Sequence, residues 1–298
     1  VKEYIKSHMH VIMVLPVIIW VAIFLFGPLI IIGTFSFYTN TTLGYLPQLT
    51  LDNYAKLITE PIYRSIFTST IYNSVLITIV SLFVGYPVAY YLAFKIKNDN
   101  TRLLLVLVLI IPFWVDFTTK LMAWFPILGT NGIINYSLIS LGIINDPISL
   151  FILSPTAATI VMIQTYVLFM IAPILLGLGN VDYDIYNAAE TLGANRFQIF
   201  RHITLPLSRP GIVIGSSFVF VMTMGDFVTP RVLGGSMQTI GILVAMQSSL
   251  LNWPLASALA TVIIIITLKC NHFFHKHCFI KWLQFGNKCP LCNRIFTI

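Results

Sequence analysis

An all-α membrane protein with six spanning helices is what the sequence predicts, and three observations predict it. Of the 298 residues, 57% are hydrophobic and only 9% charged, with a mean hydropathy of +0.89. A water-soluble fold of this length needs far more charge to cover its surface. The apolar residues gather into segments that meet or approach the roughly 20 residues needed to cross about 30 Å of hydrocarbon. Cations collect in alternate loops, as they do in inserted helical proteins. Backbone groups in lipid must pair within the segment, so the segments are read as helices rather than strands.

The first span is read at Val11–Phe35, interrupted by Pro16 and by Gly27-Pro28. It lacks a small-residue cleavage site and is expected to stay as an anchor rather than be removed as a signal peptide. Further spans follow at Asn73–Phe94, Leu103–Phe125, Pro155–Leu178 and Gly211–Val228, and a shorter sixth at Trp253–Leu268. No internal repeat or low-complexity tract is evident. Lys2 and Lys6 precede the first span, and Lys95, Lys97 and Arg102 lie between the second and third. Arg196, Arg201 and Arg209 lie between the fourth and fifth, and Lys269, Lys276, Lys281, Lys288 and Arg294 follow the sixth. The opposite loops carry Lys56, Arg64 and Arg231. This asymmetry predicts both termini and the loop at about 180–209 on the cytoplasmic side. The net charge of +7 therefore orients the chain in its lipid, and no nucleic-acid partner is implied. Asn40-Thr41-Thr42 and Asn135-Tyr136-Ser137 match the glycosylation pattern, which is too short to carry weight.

Between the fourth and fifth spans the chain turns polar for about thirty residues. Asp182 suits a helix start, and Asp182 and Asp184 suit the positive end of its dipole. Ile185, Ala188, Ala189 and Leu192 recur at helical spacing, and Gly193 is a natural stop. Asn195 is expected to cap a second short helix with Phe197, Phe200 and Ile203 on one side, ended by Pro206. On pattern alone, this is either a plain connecting hairpin or a handle gripped by a partner in the water phase.

The order Asn187-Ala188-Ala189-Glu190, then Gly193, then Ile203-Thr204-Leu205-Pro206 resembles the EAA loop of binding-protein-dependent ABC transporter permeases. Asn187 stands where that family usually has glutamate. Leu51-Asp52-Asn53-Tyr54, Gly85-Tyr86-Pro87, Ile111-Pro112-Phe113-Trp114, the stretch from Gly225 to Pro230 and Leu233-Gly234-Gly235 resemble the spermidine/putrescine branch. The resemblance covers roughly residues 8–268. It implies the MetI-like permease fold and a permease subunit that moves a small solute, a polyamine by branch. It also implies an ATP-binding ABC subunit seated on the loop, a second permease subunit and an external solute-binding protein. In that family the loop is a lever that turns motor closure into helix displacement. The chain has no G-x-x-x-x-G-K-[ST] loop to cradle ATP phosphates. It also lacks a recognisable nucleophile–base constellation, so it is expected to be no enzyme by itself and to need no cofactor for transport.

Asp116 and Lys120 fall in the third predicted span, four residues apart and so on one helix face; Asp226 lies near the outer end of the fifth. A mid-bilayer charge costs roughly 2.5–3.5 kcal/mol, so such residues face a cavity or a partner. Asp116 and Lys120 are read either as an ion pair or as lining a path for a cationic solute, and Asp226 either as a turn cap or as a path residue. Trp114, Trp124, Tyr90 and Tyr91 are read as belt or packing aromatics.

All four cysteines lie in Cys270–Cys292, interleaved with histidines: Cys270, His272, His275, Cys278, Cys289 and Cys292. That donor set suits tetrahedral zinc. The segment resembles the C-terminal part of a RING-H2 finger, Trp282-Leu283 included, and the resemblance assigns Cys270, His272, Cys289 and Cys292 to one site. His275 and Cys278 would supply half of another, since no Cys-x2-Cys pair precedes Cys270. A membrane-anchored RING-type ubiquitin ligase is thus the alternative function. The expected domains are a permease at 1–268 and a partial finger at 269–298. A junction is expected near residue 268, where the sixth span is about 24 Å long and a full crossing needs about 30 Å.

Overall fold

The computed structural model describes residues 2–41, 44–96, 98–148, 153–179 and 183–267. The six zinc-type ligands and Asp182 lie outside them. Thirteen helices occupy the described residues, with one short hairpin of two three-residue strands.

One unit combines residues 1–65 with 243–265. Its long helix α1 (Lys2–Phe35) carries Pro16 and Pro28 inside it and exposes Trp20, Phe24 and Ile30, as a helix bathed in lipid does. The strands β1 (Thr39–Thr41) and β2 (Gly44–Leu46) pair antiparallel, followed by α2 (Asp52–Thr59). Buried Asn53 anchors α2: its Nδ2 donates to the carbonyls of Ser36 at 3.0 Å and Tyr38 at 2.9 Å. The Tyr54 hydroxyl donates to Ser36 Oγ at 2.8 Å. The Asp52-Asn53-Tyr54 motif thus ties α2 to the carbonyl end of the first span. The same unit contains most of the last described helix, α13 (Trp253–Thr267).

The other unit is built on residues 66–242. Helix α3 (Pro61–Phe94) runs into it; α4 (Asp99–Trp114), α5 (Phe117–Leu128), α6 (Ile133–Ser140) and α7 (Pro155–Gly179) follow. Beyond the polar hairpin come α10 (Leu205–Gly225), α11 (Val228–Leu233) and the start of α12 (Ile240–Ser249). The core of this unit lies where α3, α7 and α10 meet, at Ile77, Ala89, Met162, Met170, Ile174 and Val219. Lipid tails are as apolar as these side chains, so close packing rather than water exclusion holds the helices. Three glycines make that packing possible. A Cβ on Gly85 would lie 3.2 Å from Met170 Cγ, and one on Gly215 would lie 3.1 Å from Met170 Cα. One on Gly211 would strike the Pro173 carbonyl and lie 2.8 Å from Ile174 Cα.

Four helices in the described residues are long and apolar enough to span, and five spans result if a bent pair in the 100–140 region counts as one. Three predicted spans need correction, the second because its helix begins at Pro61 rather than near Asn73. The third is broken between Trp114 and Phe117, and its halves bend by more than 40°. Asp116 is the cause: it is extended, and its carboxylate accepts from the Thr119 N–H at 3.1 Å, starting a new helix. The fifth starts earlier than the apolar run and ends at Gly225, because Asp226 leaves helical geometry there. The short elements α2, α6 and the β-hairpin were not predicted. Asn135, in the second glycosylation-type triplet, is buried and donates to the carbonyls of Gly129, Thr130 and Ile148 at 3.1–3.2 Å. It holds a loop and offers no acceptor nitrogen.

Candidate functional site

The polar insert folds as the two-armed hairpin its residues predict. Helix α8 (Tyr183–Thr191) stops at Gly193, whose φ of +82° costs a glycine little. The Ala194 N–H donates to the Ala189 carbonyl and the Gly193 N–H to the Glu190 carbonyl, both at 3.0 Å. This pair of bonds is the Schellman closure, and it explains why a glycine stands four residues after Ala189. The second arm opens with a full capping box. Asn195 Oδ1 accepts from the Gln198 N–H and Gln198 Oε1 accepts from the Asn195 N–H, both at 2.8 Å.

Pro206 does not end this arm. It sits in the first turn of α10, and one continuous helical rod runs Arg196–Gly225. The chain passes from α9 (Arg196–Ile199) through a wide π-turn at Phe200–Thr204, with the Leu205 N–H bonded back to the Phe200 carbonyl. A proline ring collides with the carbonyl four residues before it in a regular helix; the wide turn moves that carbonyl away. At 1.5 Å per residue the rod is about 45 Å long. The hairpin's second arm and the fifth span are one mechanical piece.

The same turn overturns the expected single face of Phe197, Phe200 and Ile203. Buried residues on the rod recur three or four apart at Thr204, Ser208, Gly211, Gly215, Val219 and Thr223, but Ile199 precedes Thr204 by five. That extra residue shifts the register by about 100°. Phe197 consequently points away, 67% exposed, while Ile199 is buried. Phe200 packs inward, edge-on to Tyr86 and Tyr90 of α3. Leu192 is 87% exposed and Ile185 is also exposed. Asn187, Ala188 and Glu190 are exposed too, while Ala189, Ile203, Leu205 and Pro206 are half-buried. Leu192 and Phe197 thus stand bare on an otherwise polar hairpin.

The intramembrane charges part company. Asp116 caps α5 and is exposed in the isolated chain. The Lys120 ammonium lies 5.8 Å from the centroid of the Phe117 ring, within cation–π range. Asp226 is buried at the break between α10 and α11. The Val228 and Thr229 N–H groups donate to its Oδ1 at 3.0 Å each, and the Tyr166 hydroxyl of α7 donates to its Oδ2 at 2.9 Å. The Thr229 hydroxyl beside it is buried without a hydrogen-bond partner. Trp114 and Tyr91 are exposed as belt residues are, while Tyr90 packs inside.

Sequence reasoning passed over three features here. Gly211 and Gly215 form a G-x-x-x-G pair, a signal for close helix approach in an apolar segment. Tyr166 is one tyrosine among thirteen and nothing local distinguishes it. The π-turn was announced only by Pro206 within what is otherwise a good helix.

Comparison with known proteins decides the family. The sequence model for "Binding-protein-dependent transport system inner membrane component" matches residues 1–274. The chain belongs to this family. It is 32% identical over 258 residues to the spermidine/putrescine transport system permease protein PotB of Escherichia coli, covering 85% of this chain and 92% of that protein. It is 33% identical over 245 residues to PotB of Haemophilus influenzae, covering 81% and 84%. A crystal structure of a bacterial alginate ABC transporter, in complex with an alginate-bound periplasmic protein, superposes with a TM-score of 0.71. The match covers 93% of this chain and 96% of that one at 18% identity, a likeness of fold alone. The permease is thus a multi-pass inner-membrane protein of the ABC importer class, and the ubiquitin-ligase alternative is not supported. A "Ring finger domain" model also matches residues 258–293. That match begins at Ala258 inside α13, where Ala258 and Leu259 are buried and no zinc ligand stands.

Proposed function

We propose that this permease is one of two membrane subunits of an ATP-driven importer for a polyamine of the spermidine/putrescine type. An external solute-binding protein delivers the solute. ATP is hydrolysed on a separate subunit that grips the α8–α9 hairpin from the cytoplasm, where both termini also lie. The observation that carries this reading is the hairpin: capped at both turns, apolar at its exposed tip, and continuous through Arg196–Gly225 with the fifth span. The names of the relatives at 32–33% identity supply the solute class. The charge asymmetry of the loops supplies the orientation.

A polyamine presents ammonium groups, which carboxylates hold best. Asp226, with the unpaired Thr229 hydroxyl beside it, is the strongest contact for one, and Asp116 and Lys120 stand elsewhere on the same path. Asp226→Asn keeps an oxygen for the Val228 and Thr229 N–H groups and removes only the charge. In proteoliposomes holding the full transporter, ATP-dependent spermidine uptake is expected. Asp116→Asn combined with Asp226→Asn is expected to raise its apparent KM about ten-fold. Absence of ATP-driven uptake with all subunits present would overturn the importer; an unchanged KM would remove the carboxylates from the path.

To the cysteine–histidine tail we assign a single zinc site, from the chemistry of its donors: three thiolates and an imidazole suit zinc. Cys270, His272, Cys289 and Cys292 would hold it. His275 and Cys278 lack partners for a second. Metal analysis of the purified chain is expected to find one tightly bound zinc, and less than one removes the site.

A further inference from the structure

The hairpin is fastened at a second place besides its continuous arm. Tyr86, Tyr90 and Phe94 follow one another at four-residue intervals down one face of α3. The Phe200 ring meets Tyr86 edge-on, with centroids 5.9 Å apart, and meets Tyr90 at 6.3 Å. On the other arm, Tyr186 of α8 lies against Phe94 at 4.9 Å, and Phe94 against Tyr90 at 5.0 Å. Two hydroxyl bonds close the assembly: Tyr186 with Thr204 at 2.8 Å and Tyr86 with Ser208 at 3.1 Å. Thr204 and Ser208 are fully buried. Both arms and the second span therefore meet in one aromatic cluster. The five-residue step of the π-turn is what brings Phe200 into it while leaving Phe197 free at the tip.

We infer that this cluster is a clasp that makes the second span travel with the hairpin, so that force applied at the tip enters the membrane along α3 as well as along the spans the hairpin connects. The two edge-on contacts of Phe200 hold a preferred ring geometry, and the tilted Tyr186–Phe94–Tyr90 run adds buried contact area. The two hydroxyl bonds add direction. A hairpin joined only through the chain to the fourth and fifth spans would pivot about the π-turn and leave the second span behind. With the clasp closed, α3 and α10 are displaced together against α7, which packs between Gly85 and Gly215 at Met170. Tyr86, Tyr186 and Phe200 are positioning residues in this account: they touch neither solute nor nucleotide. The inference rests on the hairpin being the docking site of the ATP-binding subunit.

The test is the coupling ratio, solute moved per ATP hydrolysed, in proteoliposomes containing the complete transporter. Phe200→Ala is expected to leave the ATP-binding subunit bound and ATP hydrolysis within a factor of about two, while the ratio falls about ten-fold. Phe200→Tyr, which keeps the ring, is expected to restore it. A second arm removes dependence on that variant's folding. p-Benzoylphenylalanine in place of Phe94 keeps a ring, leaves the cysteines of the tail in place and is photo-crosslinked to α8. Because the joined residues move as one, transport is expected to survive the crosslink. Loss of transport on crosslinking, or an unchanged ratio in Phe200→Ala, overturns the clasp. Failure of the unaltered permease to hold the ATP-binding subunit through the hairpin tip overturns the docking reading beneath it.

Discussion

Gly211→Leu is expected to be the most damaging single change in the membrane core. The new side chain meets backbone on α7, the Pro173 carbonyl and Ile174 Cα, and backbone does not rotate away as the end of a methionine does. Helices α7 and α10 must part along the Gly211–Gly215 seam. The contacts of Met170, Ile174 and Val219, all fully buried, loosen with them. Overpacking of this kind costs about 3 kcal/mol, which for a chain of this size is a fall in melting temperature of roughly 6–12 °C. Thermal unfolding of the purified permease in detergent, followed by tryptophan fluorescence, reads it. Gly33→Leu is the control: nothing lies within 4 Å of a Cβ there, and no fall is expected. Equal falls at both positions would show that the seam has no special role.

Leu192→Asp is expected to do the reverse, leaving the chain folded while disabling the transporter. The side chain is 87% exposed, so the isolated permease has no contact to lose. On the proposed docking of the hairpin into a groove of the ATP-binding subunit, the same leucine would be an apolar anchor, and replacing it with a carboxylate would bury a charge without a partner. Anchors of that sort are worth about 2–4 kcal/mol, or roughly a 30- to 1,000-fold loss of affinity for the ATP-binding subunit. Co-purification with that subunit and ATP-driven uptake both report it. Retention of the subunit at wild-type level would mean that the tip is not where the motor grips.

The two substitutions divide the site in an instructive way. The hairpin tip was legible in the sequence because its instructions are local. Gly193 stops one helix, Asn195 and Gln198 start the next, and the spacing from Ala189 to Gly193 is the length of a Schellman closure. Asp226 was half legible: its position before Val228 and Thr229 suggests a cap, but its bond to Tyr166 spans 60 residues. Asp116 and Lys120 were misread as one face of an unbroken span, because the hydropathy of 103–125 conceals a capping carboxylate that starts a new helix. Pro206 was misread as a stop for the opposite reason. A proline rule written for regular helices takes no account of a π-turn that makes room for the ring.

Composition, segment length and cation placement were enough by themselves to establish an inserted helical protein. The hairpin motif was enough to place the chain among its relatives. These properties reside in runs of neighbouring residues, and short-range chemistry determines them. Tertiary structure alone decided which side of each helix is inward, where the third and fifth spans break, and that Phe200 belongs to α3 while Phe197 belongs to the surface. Those outcomes depend on a one-residue shift of register and on close approach at glycines. Both are settled when distant helices pack: the register shift leaves no period in the sequence, and the Gly211–Gly215 spacing does not name the helix that approaches.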